Sequence, residues 1–169
     1  MAKQACLIII KPDGLVKSVT GNIINELSKA ELQIIGAKIV SVKKELAEQH
    51  YAELKDKKPE VYESTLKYIM GHFHTPRVLA LVYYGEDAVK KIRNIVGSTN
   101  PEEAHPTTIR GRYGRINSKN QVMENCIHAS DSEASAEKEI KLWFEPEEIV
   151  VDLYPTKIIK QEQEKQIWA

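Results

Sequence analysis

The fold class predicted by this sequence is an α/β (α+β) sandwich of the split β-α-β kind, one sheet covered by helices. Three observations predict it. Apolar runs of strand length alternate with stretches of helical periodicity along most of the chain. The helical stretches fall between strands, so all of them can cover one sheet. At 169 residues, without an internal repeat or a dividing linker, the chain suits a single core.

Residues 5–10 (Ala-Cys-Leu-Ile-Ile-Ile) form a nearly continuous apolar run, the pattern of a strand covered on both faces. A Pro-Asp-Gly turn at residues 12–14 ends it. Residues 21–30 place Ile23, Ile24, Leu27 and Ala30 on one helical stripe. The β-branched run at 33–42 predicts a second strand, with Ile34, Ile35, Ile39 and Val40 supplying its bulk. Residues 46–57 and 59–70 read as helical pieces, Pro59 sitting in a first turn. Residues 77–84 are again a buried-strand run. The helix predicted at 86–96 turns Ala88, Val89, Ile92, Ile95 and Val96 inward, and Gly97 is placed to end it.

Periodicity then disappears from 97 to about 120, where two prolines, three glycines and three arginines fall. A structureless stretch of that length in a compact domain is usually functional or disordered. Residues 122–127 predict a short strand and 132–144 a helix with Ala136, Ile140, Trp143 and Phe144 inward. The order β-α-β-α-α-β-α-loop-β-α is that of a ferredoxin-like split βαβ domain over residues 1–154. Its sheet is antiparallel or mixed, and residues 155–169 form a polar tail of the same domain.

Composition narrows the function classes. Lysine plus arginine and aspartate plus glutamate number 24 each, so the formal net charge is zero. Such a balance argues against a surface built to grip nucleic acid or anionic lipid. No apolar run approaches the roughly 20 residues needed to span a bilayer. The apolar run at 5–10 has no small-residue cleavage site behind it, so no signal peptide is expected. Cys6 and Cys126 are too few for a disulfide framework and lack metal-ligand spacing. A reducing cytoplasm fits them.

The chemistry concentrates in Asn125-Cys126-Ile127-His128-Ala129-Ser130-Asp131. This string joins a short strand to a helix whose start is marked by Ser130, Asp131 and Ser132. A histidine at such a junction can be exposed while its neighbours are held, and neutral imidazole is a good nucleophile near pH 7. It could equally be a histidine that only packs. Glu139 shifts the balance toward the nucleophile, because helical spacing puts residues 132, 135 and 139 on one side and aims Glu139 back toward His128. A carboxylate accepting the proton of one imidazole nitrogen orients the ring and leaves the other nitrogen to attack.

The string Asn-x-x-His-Ala-Ser-Asp with Glu139 behind it resembles the active-site signature of the nucleoside diphosphate kinase family. The resemblance runs from residue 5 to about 150. It takes in Ile10-Lys11-Pro12-Asp13-Gly14, Gln49-His50-Tyr51, Gly97-x-Thr99-Asn100-Pro101, Thr108-Ile109-Arg110-Gly111, the run at 135–140 and Trp143-Phe144. It implies a ping-pong kinase in which a nucleoside triphosphate, chiefly ATP, phosphorylates His128 and a nucleoside diphosphate collects the phosphate. Mg²⁺ is expected to arrive with the nucleotide, so no protein metal ligand is named.

By the same resemblance Lys11 contacts the ribose hydroxyls and the transferring phosphate, and Asn125 the sugar hydroxyls. Arg93, Thr99 and Arg110 surround the phosphates, where forked guanidinium donors bind bidentately. Tyr51 packs at the active site and hydrogen-bonds near the histidine, and Ser130 is carried over with the string. Residues three apart in a flat strand face opposite ways, so Asn125 and His128 can serve one nucleotide only across a break in the backbone.

Three departures stand out. Where the family stacks the base on a phenylalanine, this chain has Lys57-Lys58-Pro59-Glu60-Val61-Tyr62, which makes Tyr62 the expected plate. Arg112 replaces the usual aspartate after Arg110-Gly111. The segments 71–76 and 112–123 are longer than usual, which bears on subunit contacts in a family of hexamers and tetramers; a homo-oligomer is expected, with a lean toward the hexamer. His72 and His74, without carboxylate company in the sequence, read as polar surface. Two other readings compete. A phosphohistidine carrier would need His128 but not the nucleotide-facing set, and a nucleic-acid-binding module would use Arg110, Arg112 and Arg115 as a basic edge.

Overall fold

In the computed structural model, which describes residues 3–160, β1 (Lys3–Ile10) is an inner strand of a four-stranded antiparallel sheet of order β2-β3-β1-β6. The other members are β2 (Gln33–Val40), β3 (Val78–Glu86) and β6 (Ile127–Ala129). Residues 5–10 are all buried because the sheet is covered on both faces. Ala5, Leu7 and Ile9 enter one core with α3 (Lys44–His50), α5 (Pro59–Ile69) and α8 (Glu133–Trp143). Cys6, Ile8 and Ile10 enter the other, with α2 (Thr20–Ser28), α6 (Ala88–Val96) and α7 (Ile109–Tyr113). A period-two strand buried on both faces produces this division.

Several boundaries differ from the sequence expectation. Residues 12–14 open a short helix, α1 (Pro12–Val16), rather than a turn, with proline at its start. The helix expected at 46–57 is interrupted at Tyr51, where φ is −101° and ψ 21°, and continues as α4 (Ala52–Lys57). The supposed loop at 97–120 contains α7 and β4 (Arg115–Ile116), which pairs with β5 (Met123–Glu124) as a separate two-stranded ribbon. Thr108 caps α7 by accepting from the Gly111 N–H at 3.2 Å. Ile34 and Ile39 do not supply core bulk. They are 46% and 60% exposed on β2, the edge strand of the sheet, whose pairing with β3 shifts register between Ile34 and Gly36.

The strand expected at 122–127 is broken. Cys126 has φ +63°, which separates β5 from β6. Beyond Trp143 the chain makes a 3-10 turn at Pro146–Glu148, and the Val150 N–H donates to the Ile35 carbonyl at 2.9 Å. Residues 155–160 carry no regular element. The rest of the expected tail, 161–169, lies outside the described residues.

Candidate active site

His128 owes its direction to sheet register. It pairs with Ile9, and residues opposite each other in an antiparallel pair project to the same face. The imidazole therefore stands on the side of α8 and α3, while Ile127 and Ala129 sink into the opposite core. On α8, capped by Ser132 accepting from the Ser135 N–H at 3.1 Å, Glu139 points back as its spacing requires. His128 Nε2 lies 3.0 Å from Glu139 Oε2. Ser130 Oγ donates to the same oxygen at 2.5 Å and accepts from the Leu7 N–H at 3.1 Å, which ties the carboxylate to β1. With Nε2 engaged, Nδ1 is the nitrogen left to react.

One residue of this group escaped the sequence reading. His50, at the end of α3, packs edge-on against the His128 ring with centroids 4.5 Å apart. Trp143 Nε1 donates to His50 Nδ1 at 3.1 Å, and indole is only a donor, so the His50 proton sits on Nε2. Burial, then the neighbouring His128 and Lys11, hold its pKa well below the usual histidine value. His50 is thus a neutral wall beside the reactive ring. The signal was present in the adjoining Gln49-His50-Tyr51 string, but nothing local to that string points at residue 128. Tyr51 does not make the hydrogen bond expected of it: among the described residues its buried hydroxyl has no partner, and packing holds the ring. Burial and the nearby Glu139 charge push that phenol upward, so it stays protonated.

The second half of the site is cationic. Lys11 leaves the end of β1, its N–H bonded to the Cys126 carbonyl at 2.8 Å, and its Nζ donates to Asn125 Oδ1 at 2.8 Å. Asn125 Nδ2 donates in turn to the Thr99 carbonyl at 2.9 Å. The backbone break at Cys126 lets Asn125 meet Lys11 instead of diverging from the His128 side. Arg110 is 4% exposed, with Nη2 donating to the Ile127 carbonyl at 2.9 Å and Nη1 to the Gly97 carbonyl at 3.0 Å. Gly97 adopts φ +87° against the Thr108 side chain, where an added Cβ would lie 2.3 Å from the hydroxyl oxygen, so only glycine can close α6 onto this loop.

Burial, then Arg110, lowers the Lys11 pKa to about 8. Burial, then Arg93, lowers Arg110 to about 10. Among the described residues neither cation is paired with a carboxylate. Buried positive charges whose hydrogen bonds go to carbonyls and an amide, with Asp13 and the Tyr68 ring acting on Lys11 only at longer range, make a site that favours an anion.

The structure therefore brings His128, Glu139, Ser130 and Tyr51 together, and joins to them Lys11, Asn125, Thr99, Arg110 and, through its charge, Arg93. It does not bring Tyr62 in. Tyr62, Leu66 and Ile69 are the inward stripe of α5, and Tyr62 is 8% exposed within the core, so its ring offers no open face. Val61 is the exposed apolar residue of that turn. His74 also departs from expectation, its Nε2 lying 3.0 Å from buried Glu124 rather than in solvent.

Among the described residues His50, His128 and Glu139 are the group able to ligate a metal, with ligand atoms within 4.8 Å. That set is rich in nitrogen and lies in a positive surround, a poor match for Mg²⁺, which takes oxygen ligands in octahedral geometry. The described residues include no helix long and apolar enough to cross a membrane.

Comparison with known proteins agrees with this geometry. Residues 4–149 match the family model described as nucleoside diphosphate kinase. A nucleoside diphosphate kinase of Staphylococcus carnosus is 44% identical over 148 residues, covering 88% of this chain and 91% of the relative. One from Pyrococcus furiosus is 43% identical over 146 residues, covering 86% of each. A solved transition-state mimic of the Borrelia burgdorferi nucleoside-diphosphate kinase, with bound vanadate and ADP, superposes with a TM-score of 0.78. It is 31% identical, over 92% of this chain and 93% of that one.

Proposed function

The chain belongs to the nucleoside diphosphate kinase family of phosphotransferases, and from that membership we propose a ping-pong reaction through a phosphohistidine on His128. The observation supporting it is the Nε2 contact to Glu139, which leaves Nδ1 free in a site that also holds the buried cations Lys11 and Arg110. The Nδ1 lone pair attacks the γ-phosphorus of a nucleoside triphosphate, mainly ATP. The bond from that phosphorus to the bridging oxygen breaks, and the nucleoside diphosphate leaves with the electron pair. In the second half a terminal phosphate oxygen of another diphosphate attacks the same phosphorus and the N–P bond breaks.

Each residue has a part in this. Glu139, held by Ser130, accepts the Nε2–H and stabilises the charge that grows on the ring as Nδ1 is phosphorylated. His50 keeps the ring from turning. Lys11, Arg93, Arg110 and the Thr99 hydroxyl bind phosphate oxygens, and Lys11 with Asn125 binds the sugar hydroxyls. Phosphoryl transfer asks a protein chiefly for such positioning and charge. Mg²⁺ carried on the nucleotide phosphates supplies further neutralisation of phosphate charge.

We assign the protein to the cytoplasm, on its two buried free thiols. A homo-oligomer, hexamer or tetramer, is supported by the exposed Ile34 and Ile39 on the β2 edge. The nucleic-acid reading is weakened because Arg112 pairs with Glu26 at 2.9 Å and Arg115 with Glu124 at 2.7 Å, which neutralises the basic edge.

Incubation with γ-labelled ATP and Mg²⁺, then a GDP chase, tests the reaction. Acid-labile label on the wild type alone, leaving as GTP, is the expected result, with His128→Ala unlabelled. Label that forms but does not chase would favour a phosphohistidine carrier, and no label would refute the kinase.

A further inference from the structure

Glu124 is fully buried, at 0% exposure, directly before Asn125 in the chain. Four groups converge on it. Arg115 Nε donates to Oε2 at 2.7 Å and Asn117 Nδ2 to Oε1 at 2.6 Å. His74 Nε2 lies 3.0 Å from Oε1, and Lys17 Nζ 3.5 Å from Oε2. Burial works against the charged form, but the bonds from Arg115 and Asn117 and the charge of Lys17 outweigh it and hold the pKa to about 2. Near neutral pH the carboxylate is ionised.

The location matters more than the charge. His74 belongs to the 71–76 segment, and Arg115 and Asn117 to the 112–123 segment. Two segments far apart in the chain thus end on one carboxylate, with Lys17, at the end of α1, as the third arm. Lys17 passes the connection to Asp13, which also accepts from Cys126 Sγ at 3.1 Å and from the Tyr68 hydroxyl.

Asn125 has no strand partner to fix it. Its N–H bonds to the Met123 carbonyl at 3.1 Å and its carbonyl accepts from the Ile127 N–H at 2.7 Å, both turns within the segment. Its side chain is held by Lys11 and the Thr99 carbonyl, while its backbone hangs between two flanking anchors, Glu124 and Cys126.

We infer that Glu124 is a positioning residue for the sugar end of the nucleotide site, fixing Asn125 and through it the Lys11 ammonium, and that the 71–76 and 112–123 segments act on the site through it. This rests on the kinase reading above and on Asn125 and Lys11 meeting the sugar hydroxyls. Neutralising Glu124 leaves Arg115 and Lys17 without their counter-charge and lets the 71–76 and 112–123 segments part, so Asn125 loses its bearing while His128 and Glu139, held by β1 and α8, keep theirs.

The test crosses a protein change with a substrate change. kcat/KM is measured with ATP as donor for GDP and for 2′,3′-dideoxy-GDP, on wild type and Glu124→Gln. For GDP the variant should lose about tenfold, the scale of one displaced hydrogen bond. For the dideoxy acceptor, which lacks the hydroxyls, it should lose no more than about twofold on the same reasoning. Equal losses on both acceptors would overturn the inference and make Glu124 a prop for the fold. A wild type that uses both acceptors equally would overturn it too, since Asn125 would have no sugar contact to set. A wild type that forms no GTP would instead refute the kinase reading. Should Glu124→Gln not fold, Arg115→Gln, at a side chain 59% exposed, should give the same selective loss at about two- to threefold.

Discussion

A lysine buried without a carboxylate partner should cost stability in a way that pH can measure. The Lys11 pKa is about 8 in the folded protein against an ordinary 10.5, because burial and then Arg110 disfavour the ammonium. The unfolded chain binds that proton more tightly, so stability rises with pH through this window instead of falling. Integrating between those two values gives about 1 kcal/mol gained from pH 7 to pH 9, and about 3 kcal/mol as the upper bound for the whole titration. Cys6 and Cys126 run the other way. Burial pushes both thiols up, Cys6 to about 12, so their unfolded forms ionise first and stability is lost above about pH 9.

The wild-type curve alone mixes these effects, and the clean quantity is its difference from Lys11→Met. Urea unfolding followed by tryptophan fluorescence at pH 7, 8 and 9 provides it. The wild-type minus Lys11→Met difference should climb by about 1 kcal/mol. Over the same range the wild-type affinity for ADP should fall once pH passes about 8, as the binding cation is lost. A flat difference curve would refute the reasoning, for it would mean that the site hydrates or pairs Lys11 and that the cationic surround carries no stored cost.

Glu139→Ala removes the acceptor of both His128 Nε2 and Ser130 Oγ. Rapid-quench measurement of phosphoenzyme formation should find it slowed about a hundredfold, with ADP affinity little changed; a normal rate would take Glu139 out of the role given to it. Tyr62→Ala should cost about 3–5 kcal/mol in urea unfolding, as for other large aromatic truncations in a core. The nucleotide KM should be unchanged where the variant is still folded. A raised KM with unaltered stability would return Tyr62 to the base.

The residues fixed by strand and helix periodicity were the ones legible in the sequence. The β1 run, the α6 stripe ending at Gly97, and the His128–Glu139 spacing follow from periods of 2 and 3.6 and needed no tertiary information. The break between Asn125 and His128 was legible as a geometric contradiction, though its place at Cys126 was not. Tertiary pairings escaped. His50 reaches His128 across 78 positions, and Glu124 meets His74 across 50, so no local pattern marks either contact. Tyr62 failed for a related reason. Matching it to a missing phenylalanine ignored its place on the α5 stripe with Leu66 and Ile69, where burial of a large ring outweighs any exposed use.

The zero net charge, which argued only against a nucleic-acid surface, conceals a separation of charges. Behind Asn125, Glu124 and Asp13 are matched by Lys17 and Arg115. In front of it, Lys11 and Arg110 form no ion pair among the described residues and donate instead to an amide and to backbone carbonyls. The difference decides what each group can do. A carboxylate on Arg110 would hold the guanidinium as firmly as the carbonyls of Gly97 and Ile127 do, but an incoming phosphate would then have to displace a full opposite charge. Carbonyl dipoles fix the direction of the fork and leave its charge unspent. Glu139 can stand nearby without spoiling this because it is committed to His128 and Ser130. An anion site with a nucleophile in it therefore needs its acids placed as carefully as its bases, one on the imidazole and the others behind Asn125.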